Sequence, residues 1–548
     1  MRLVRTTMAI ATAFLSAVAL TSCEGAEQAT DRLGIDALLQ NGRTFTLALA
    51  SAPGNLDPVM SALPADSQLS NLTYDRLLSM KADGGIQSWV ARNWSGTTTE
   101  ARFTLRSGVR CSDGSMLKAS DVAAGLNFLG DPTHHAPLTG LVVPPGLKAT
   151  GDDGSGTVRV ISPRPDSFLV RNVGSVPLIC AKALRDRSLL THGSYGTGLF
   201  VLKSYQPGKR YVFERRRNYA WGPGRWDRDQ RGLPSKVVVR VVPDDRAVAD
   251  LVARGKVNAA VVRGSAQERL VRPPLNLKHR DVEVPLGVLT FNEAAGNPTS
   301  ERTVRQALVQ GADLEKVGQL MTGNQAVPTH SVAGMSPAAC TESQSAGNAL
   351  PFDVAAAESA LDDAGWTAGT DGIRTKDGQR LRVVLNNYPA PDAQINAGVA
   401  LLEKQWRTIG VETVRNDLDP QELRDLVADK LRWDAGLAQM QLNLPSNLVP
   451  FFSGPMPPRG NNFSHIANSD YERLVRAAEK LPDRRSCGRW KDAERALIDR
   501  VDLMPFVNTV NRMFFYKADA RLVRGIVDGP SIRMYKMRCP DADCAMIK

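Results

Sequence analysis

The sequence predicts an α/β protein built from at least two lobes. The chain has 548 residues, enough for about three or four domains or large lobes at roughly 100–200 residues each. Strand and helix patterns alternate in two separated regions, residues 237–262 and 353–437. Alternation of this kind is typical of α/β lobes that contain parallel strands.

The first part of the chain shows short strands and one helical pattern. Apolar residues partly alternate over 44–50 and 101–106, which predicts strands. Leucines at helical spacing predict a helix over 68–79. Residues 147–161 have the pattern of a hairpin around a glycine-rich turn.

The clearest local unit is a strand, a helix and a second strand. A helical pattern over 246–254 lies between apolar runs at 237–242 and 257–262. Asp244 and Asp245 stand where side-chain oxygens cap a helix N-terminus. Part of the sheet is therefore expected to be parallel.

The pattern recurs in the second region and continues as helices toward the C-terminus. Residues 503–507 and 514–516 are expected to be buried. The remaining predictions are strands at 381–385, 411–415 and 433–437, and helices at 353–364, 394–409, 420–429, 469–480 and 488–500.

Composition excludes several classes of protein. Hydrophobic residues make up 43%, charged residues 23% and aromatic residues 6%, which argues against a disordered chain, collagen, a coiled coil or a polytopic membrane protein. The formal charge is +11, but it is spread along the chain. Since no basic stripe with interleaved aromatic residues is present, nucleic acid is not an expected partner.

The N-terminus predicts export. Arg2 and Arg5 precede a short apolar run that ends in Leu-Thr-Ser-Cys at residues 20–23, and this order is typical of a secretory signal. The ending resembles a bacterial lipoprotein signal, in which Cys23 is lipidated after residues 1–22 are removed. The alternative is a plain secreted protein with an incidental cysteine. Cleavage would leave 66 basic and 57 acidic side chains, a formal charge of +9.

Six further cysteines permit disulfides in an exported chain. They are Cys111, Cys180, Cys340, Cys487, Cys539 and Cys544, which allow 15 connectivities. Cys539 and Cys544 form the easiest pair, because they close a small C-terminal loop. A metal site in that tail is the weaker alternative, since no second Cys or His pair stands near.

Residue patterns for catalysis are missing from the sequence. None of the six histidines has metal-binding spacing, and no Gly-x-Ser-x-Gly nucleophile motif is present. We therefore predict no enzyme activity, no catalytic residue, no metal site and no cofactor. An exported α/β protein without these motifs suits capture of a small molecule in a cleft between lobes.

Several motifs, spread in order over nearly the whole chain after the signal, carry a family resemblance. The longest is Phe103-Thr-Leu-Arg-Ser-Gly-Val-Arg-Cys-Ser-Asp-Gly114. The others are 55–58, 117–122, 196–198, 214–221, 241–258, 291–308 and 364–372. Together they resemble the family 5 extracellular solute-binding proteins, the oligopeptide-, dipeptide- and nickel-binding components of ABC importers.

The resemblance implies a two-lobed periplasmic-binding-protein-like fold of type II, in the peptide-binder cluster, with an inserted domain and a hinge. Crossings near residues 287 and 503 would form the hinge, about which such proteins close on ligand. The implied regions are a tether at 23–43, lobe I at 44–66, 195–287 and 503–548, inserted domain II at 67–194, and lobe III at 288–502.

The resemblance also implies a ligand-binding segment within 439–446. Its residues are Gln439, Met440, Gln441, Leu442, Asn443 and Ser446, and backbone groups there would pair with an extended peptide. The family commonly has tryptophan in place of Met440, and in place of Asn443 an aspartate that holds the peptide's α-ammonium group. Asn443 accepts hydrogen bonds but supplies no charge. Either the amine is anchored elsewhere, or the ligand is not an ordinary free peptide.

An opposing loop would complete the site with Ala62, Leu63 and Pro64. It lacks the acidic residues that some peptide binders carry there, and Pro64 has no backbone N–H to donate. The alternative interpretation of Asn443 and Gln441 is that they supply core or hinge polarity.

The resulting hypothesis is a monomeric substrate-binding lipoprotein of an ABC importer, which captures oligopeptides and delivers them to a permease and ATPase complex. It would be tethered by Cys23 to the extracytoplasmic face of the bacterial cell membrane. Three alternatives remain: a binder of a metal chelate, sugar or amino-acid-derived metabolite; a sensor or assembly factor that keeps the fold without transport; and an extracellular hydrolase.

Overall fold

The computed structural model describes residues 38–61, 63–329, 331–340, 350–387, 393–438 and 443–537. Its strands, β1 to β24 in chain order, are Thr44–Leu49, Leu78–Met80, Ile86–Ser88, Ala91–Gly96, Glu100–Leu105, Lys148–Asp152, Thr157–Ile161, Phe200–Gln206, Arg210–Arg215, Lys236–Val241, Ala259–Val262, His279–Phe291, Val327–Pro328, Thr367–Ala368, Arg374–Lys376, Gln379–Arg380, Arg382–Asn387, Glu412–Asp417, Ala435–Ala438, Leu503–Phe515, Ala518–Asp519, Leu522–Val523, Ile526–Val527 and Arg533–Met534.

The α-helices connect and cover these strands. They are α1 to α14 in chain order: Pro64–Thr73, Ala119–Gly130, Leu169–Gly174, Ala181–Arg185, Asp245–Ala253, Glu268–Val271, Arg302–Gln310, Leu314–Met321, Val354–Asp363, Ala393–Thr408, Pro420–Val427, Val449–Phe452, Ser469–Ala478 and Cys487–Asp499.

One mixed sheet runs through most of the molecule. Its path is β18-β17-β19-β12-β20-β11-β1-β10-β9-β8, and β13 pairs with β20 beside that path. The predicted strand–helix–strand unit is confirmed: β10 and β11 lie on either side of β1, and both are parallel to it. The carboxylate of Asp244 caps α5 by accepting a hydrogen bond from the Ala247 N–H (2.6 Å).

Two long antiparallel strands join the halves of this sheet. β12 and β20 have 13 residues each and pair from His279–Phe514 to Thr290–Leu503. The pairing shifts register between Pro285 and Val288. On its other edge β12 pairs with β19, and on its other edge β20 pairs with β11. The sheet is therefore continuous from one end to the other.

Apolar side chains form two large cores. The first core contains Phe45, Phe103 and Phe213, and it includes residues from near the C-terminus such as Phe515. The second core is built almost entirely from residues 286–507. Its exception is Phe168, which comes from the first part of the chain.

The neighbours of Phe168 also cross between the cores. Its ring stacks near Trp490 at 6.4 Å between centroids. The Ser167 hydroxyl donates to the Ala478 carbonyl (2.8 Å). Arg171 is buried and pairs with Asp483 at 2.8 Å. The segment around Phe168 therefore fastens the first part of the chain to the second core.

A second sheet has the order β4-β5-β7-β6, and the predicted hairpin at 147–161 is its β6–β7 pair. The prediction of one helix over 68–79 is wrong, because α1 ends at Thr73 and β2 begins at Leu78. Backbone hydrogen bonds from distant Leu178 and Ala91 reach Asp75 and Leu77. These bonds replace the i to i−4 bonds that a continuing helix needs.

Two disulfides are present in the described parts of the chain. Cys111 bonds Cys180, and Cys340 bonds Cys487. Cys539 and Cys544, which the sequence favoured as a pair, lie outside the described residues, as do the predicted signal peptide and Cys23. Among the helices that are described, none is long and apolar enough to cross a membrane.

Candidate functional site

A cavity of about 150 Å³ lies where the first core meets a loop of the second core. Val332 and Ala333 of that loop are buried in the second core, and the same loop contributes Met335 to the cavity wall. We call this space the arginine cavity, because two arginines line it. Its polar lining residues are Ser61, Ser67, Ser70, Arg76, Ser175 and Arg524. Its apolar lining residues are Pro58, Pro64, Leu138, Val142, Val176, Pro177, Met335 and Ile526.

Arg76 is fixed by the backbone around it. Its carbonyl accepts a hydrogen bond from the Val90 N–H (3.2 Å), and its Nε donates to the Ser175 carbonyl (2.9 Å). Burial and, to a smaller extent, the positive charge of Arg524 lower the pKa of Arg76 to about 10. The guanidinium nevertheless remains charged at neutral pH.

Arg524 stands at the tip of the β22–β23 hairpin. This hairpin turns through two residues, Arg524 and Gly525, with φ of 52° and 74°. Positive φ at both positions is typical of a type I′ turn, which favours Asn-Gly or Asp-Gly. An arginine there is sterically disfavoured, and its side chain is exposed to the cavity.

The buried carboxylates near this cavity are held by other groups. Asp66 accepts hydrogen bonds from the Gly54 and Asn55 N–H groups (2.7 and 3.1 Å) and from the Ser61 hydroxyl. Asp57 pairs with Arg187. Among the described residues, Arg76 and Arg524 have no carboxylate within salt-bridge distance. The cavity is therefore positively charged.

Asp75 anchors the chain just before Arg76. It is buried, and it accepts hydrogen bonds from Trp221 Nε1 (2.8 Å) and the Tyr219 hydroxyl (3.1 Å). Burial raises the pKa of Asp75 to about 6, and these hydrogen bonds partly oppose the shift. The cluster joins α1 and β2 to residues 219–221 and so positions Arg76.

A second cavity of about 130 Å³ adjoins the first. Val142 lines both of them, and the second also contains Ser446. The Asn447 side chain donates to the Leu141 carbonyl. Residues 138–145 therefore lie between the two segments that the sequence predicted as ligand-binding.

The structure describes four of the predicted ligand-binding residues. Leu63 precedes α1 with a side chain that is 60% exposed, and Pro64 begins α1 and lines the arginine cavity. Asn443 is buried. Ser446 has a buried hydroxyl without a hydrogen-bond partner among the described atoms. Ala62, Gln439, Met440, Gln441 and Leu442 lie outside the described residues, so their role stays a prediction.

The loop that carries Met335 is tied to α14 at two places. The buried carboxylate of Glu494 accepts hydrogen bonds from the Val332 N–H (2.5 Å) and the Ser331 hydroxyl (3.2 Å). The Cys340–Cys487 disulfide holds the other end of the loop. These attachments fix the face that the second core presents to the arginine cavity.

A larger cavity, of about 410 Å³, is lined by other residues of the same loop and hairpin. Its wall includes Lys81, Arg280, Glu283, Pro337 and Arg521. Arg280 and Arg521 are paired with Asp519 and Asp528 respectively. Unlike the arginine cavity, this space has charges that are largely matched.

Sequence reasoning missed Arg76, Arg524 and Met335 as cavity residues. They are far apart in the chain, and only the tertiary fold brings them together. One local signal existed: Arg524-Gly525 separates two short apolar pairs, Leu522-Val523 and Ile526-Val527. That pattern predicts a two-residue hairpin with an unusual residue at its tip.

Comparison with known proteins establishes the class. The family model described as bacterial extracellular solute-binding proteins, family 5 middle, matches residues 85–455. The chain belongs to this family, and the family resemblance and fold class inferred from the sequence are confirmed. Its members bind solutes rather than convert them. In the described part of the chain, no cluster of three or more His, Cys, Asp or Glu side chains is placed to hold a metal ion.

Particular relatives fit this class. Protein XP55 of Streptomyces lividans is 24% identical over 496 residues, covering 88% of this chain and 86% of the relative. The nickel-binding periplasmic protein of Escherichia coli (strain K12) is 25% identical over 383 residues, or 66% and 69% of the two chains. A solved structure, the Bacillus subtilis oligopeptide-binding protein AppA in complex with a nonapeptide, superposes with a TM-score of 0.71 at 17% identity, covering 91% and 100%.

Proposed function

We propose that this protein is the substrate-binding lipoprotein of an ABC importer, which captures oligopeptides between its two cores and delivers them to a permease and ATPase complex. The observation that carries the proposal is a set of adjoining cavities lined by residues that pack on both cores, such as Val142 on the first core and Val449 on the second. A cleft of this kind suits reversible capture, because separation of the two cores would open it and their closure would surround the ligand.

Peptide as the ligand is supported by the oligopeptide-binding protein that shares the fold. Backbone pairing along residues 439–446, expected from the family resemblance, would be indifferent to peptide side chains. Anchoring at the extracytoplasmic face of the membrane through Cys23 is part of the same proposal, and its support is the N-terminal sequence. The protein is proposed to act as a monomer without a cofactor.

The direct test is thermal unfolding of the purified protein, without its signal segment, against panels of peptides, nickel chelates and oligosaccharides. A peptide at 100 times its Kd should stabilise the folded protein by about 2.7 kcal/mol. Mass spectrometry of material that copurifies identifies the natural ligand independently. Stabilisation by a nickel chelate or a sugar, with no response to peptides of any length, would refute the peptide assignment.

Asn443 offers a sharper test of how a peptide would be oriented. If a peptide α-ammonium group meets Asn443, then Asn443→Asp should tighten binding, because a charge-assisted hydrogen bond is roughly twice as strong as a neutral one. Calorimetry with a free peptide and its N-acetylated form separates the effects, since only the free peptide should gain affinity. Equal changes for both peptides would place the amine elsewhere.

A further inference from the structure

The arginine cavity has features of a binding subsite that the proposed peptide capture leaves unassigned. Two guanidinium groups line a space of about 150 Å³, and neither has a carboxylate partner among the described residues. The two like charges at this small cavity repel each other, and a bound anion would relieve that repulsion. The lowered pKa of Arg76, caused by burial and then by the charge of Arg524, is consistent with that repulsion.

Hydroxyl groups supply further hydrogen-bond donors to the same space. Ser61, Ser67, Ser70 and Ser175 line it. The Ser61 and Ser175 hydroxyls already donate to Asp66 and to the Asn172 carbonyl, which leaves Ser67 and Ser70 as donors to a ligand. The Ser70 residue is only 6% exposed, and its hydroxyl is buried without a hydrogen-bond partner among the described atoms. A buried hydroxyl of this kind is costly unless a partner satisfies it, which a bound oxygen anion would do.

The remaining wall indicates what the anion is attached to. Val142, Val176, Met335 and Ile526 give the cavity an apolar side. The volume is below the roughly 300–1,000 Å³ of a pocket for a whole drug-sized ligand, so this space holds one group of a larger molecule. A carboxylate on an apolar stem matches a wall of guanidinium groups, hydroxyls and aliphatic side chains, and arginine is well suited to carboxylate geometry.

Resting on the proposed function, we propose that the arginine cavity is an anion subsite, in which Arg76 and Arg524 bind a carboxylate of the captured ligand. The protein therefore selects ligands that carry a carboxylate next to an apolar group. In this proposal the arginine with positive φ at the hairpin tip serves ligand binding, although a residue such as asparagine fits the turn better.

The hairpin geometry provides a variant that separates binding from folding. Arg524→Asn removes the charge and places a favoured residue at the first position of the type I′ turn, so the folded protein should be no less stable. Lys517→Asn is the matched control. Lys517 is also a cation with positive φ (51°), but it does not line the arginine cavity.

The experiment measures affinity by calorimetry for trialanine and trialaninamide, and for Ala-Glu-Ala and Ala-Gln-Ala. Wild-type protein and Lys517→Asn should bind one or both carboxylate forms about 10- to 150-fold more tightly than the matched amides, the range expected for hydrogen bonds to a charged group. Arg524→Asn should reduce that preference to near unity while its thermal unfolding temperature is maintained or increased.

The remaining outcomes are distinct. Equal binding of acids and amides by the wild type, or an unchanged preference in Arg524→Asn, overturns the anion subsite and leaves peptide capture standing. If no peptide binds, hexanoate and inorganic phosphate are tested on the same variants. Binding of hexanoate that Arg524→Asn abolishes supports the subsite independently of peptide capture, which the panel of longer peptides then tests. Binding of phosphate alone, or of neither anion, overturns the carboxylate assignment.

Discussion

Titration of Glu494 tests how the fold holds the loop that carries Met335. Glu494 lies on α14 and is 2% exposed, and its carboxylate accepts hydrogen bonds from Val332 and Ser331. Burial raises the pKa of Glu494 from 4.5 to about 7, and the loop hydrogen bonds oppose part of the shift. One pKa unit corresponds to about 1.4 kcal/mol. Ionisation of the Glu494 carboxyl therefore costs about 3 kcal/mol more in the folded protein than in the unfolded chain.

The sign of the pH dependence follows from that shift. The folded-state pKa of Glu494 is raised above the unfolded value, so the protonated carboxyl stabilises the folded protein. This contribution is fully present below pH 4.5 and is lost as the pH rises through 7. Glu494→Gln removes the titration and keeps an amide oxygen for the Val332 N–H. The free energy of unfolding of the variant, minus that of the wild type, should increase by about 3 kcal/mol from pH 4.5 to pH 8.

Urea unfolding, followed by tryptophan fluorescence and circular dichroism at several pH values, measures this difference. Taking the variant against the wild type cancels the titration of other buried carboxyls such as Asp75. Glu315→Gln, at an exposed site on α8, is the control and should give a nearly constant difference. A difference for Glu494→Gln that stays within about 0.5 kcal/mol across this range would refute the reasoning, since a shifted carboxyl must affect stability by linkage.

Two further variants test how the segments are joined. Cys111→Ser should lower the free energy of unfolding by about 2–4 kcal/mol, because the unfolded chain loses a cross-link. A urea midpoint equal to that of the wild type would contradict this expectation. Phe168→Ala should cost about 3–5 kcal/mol and loosen contact with the second core. The Phe168→Ala variant should have a larger radius of gyration than the wild type, measured by X-ray scattering in the absence of ligand. An unchanged radius would show that Phe168 does not hold the two cores together.

The sequence was most informative where local rules decide the structure. The β10–α5–β11 unit follows from apolar runs around a helix that Asp244 caps, and Asp353 caps α9 in the same way. The strands β12 and β20 were missed because Pro285 and Gly287 interrupt the apolar pattern of β12, and polar residues such as Asn508 and Arg512 interrupt that of β20. Their pairing with each other, distant in sequence, creates them.

The candidate site was also predicted from the sequence only in part. Pro64 and Ser446 were predicted through a family resemblance. They line adjoining cavities, and their role in ligand binding stays a prediction. Arg76 and Arg524 were not predicted, because the sequence does not distinguish an arginine that faces solvent from one that lines a cavity. Its unpaired charge becomes visible only when the carboxylates around it are assigned to other partners.

The pairing of β12 with β20 has a consequence for how the chain is made. About 210 residues separate the end of β12 from the start of β20, and synthesis at roughly 5–20 residues per second takes about 10–40 s to cover them. During that time one edge of β12 lacks its final neighbour and is open to wrong pairing. The first core also needs Phe515, which emerges later still. A chain that stops before residue 503 would leave both cores unfinished, so neither half of the molecule could be completed by itself.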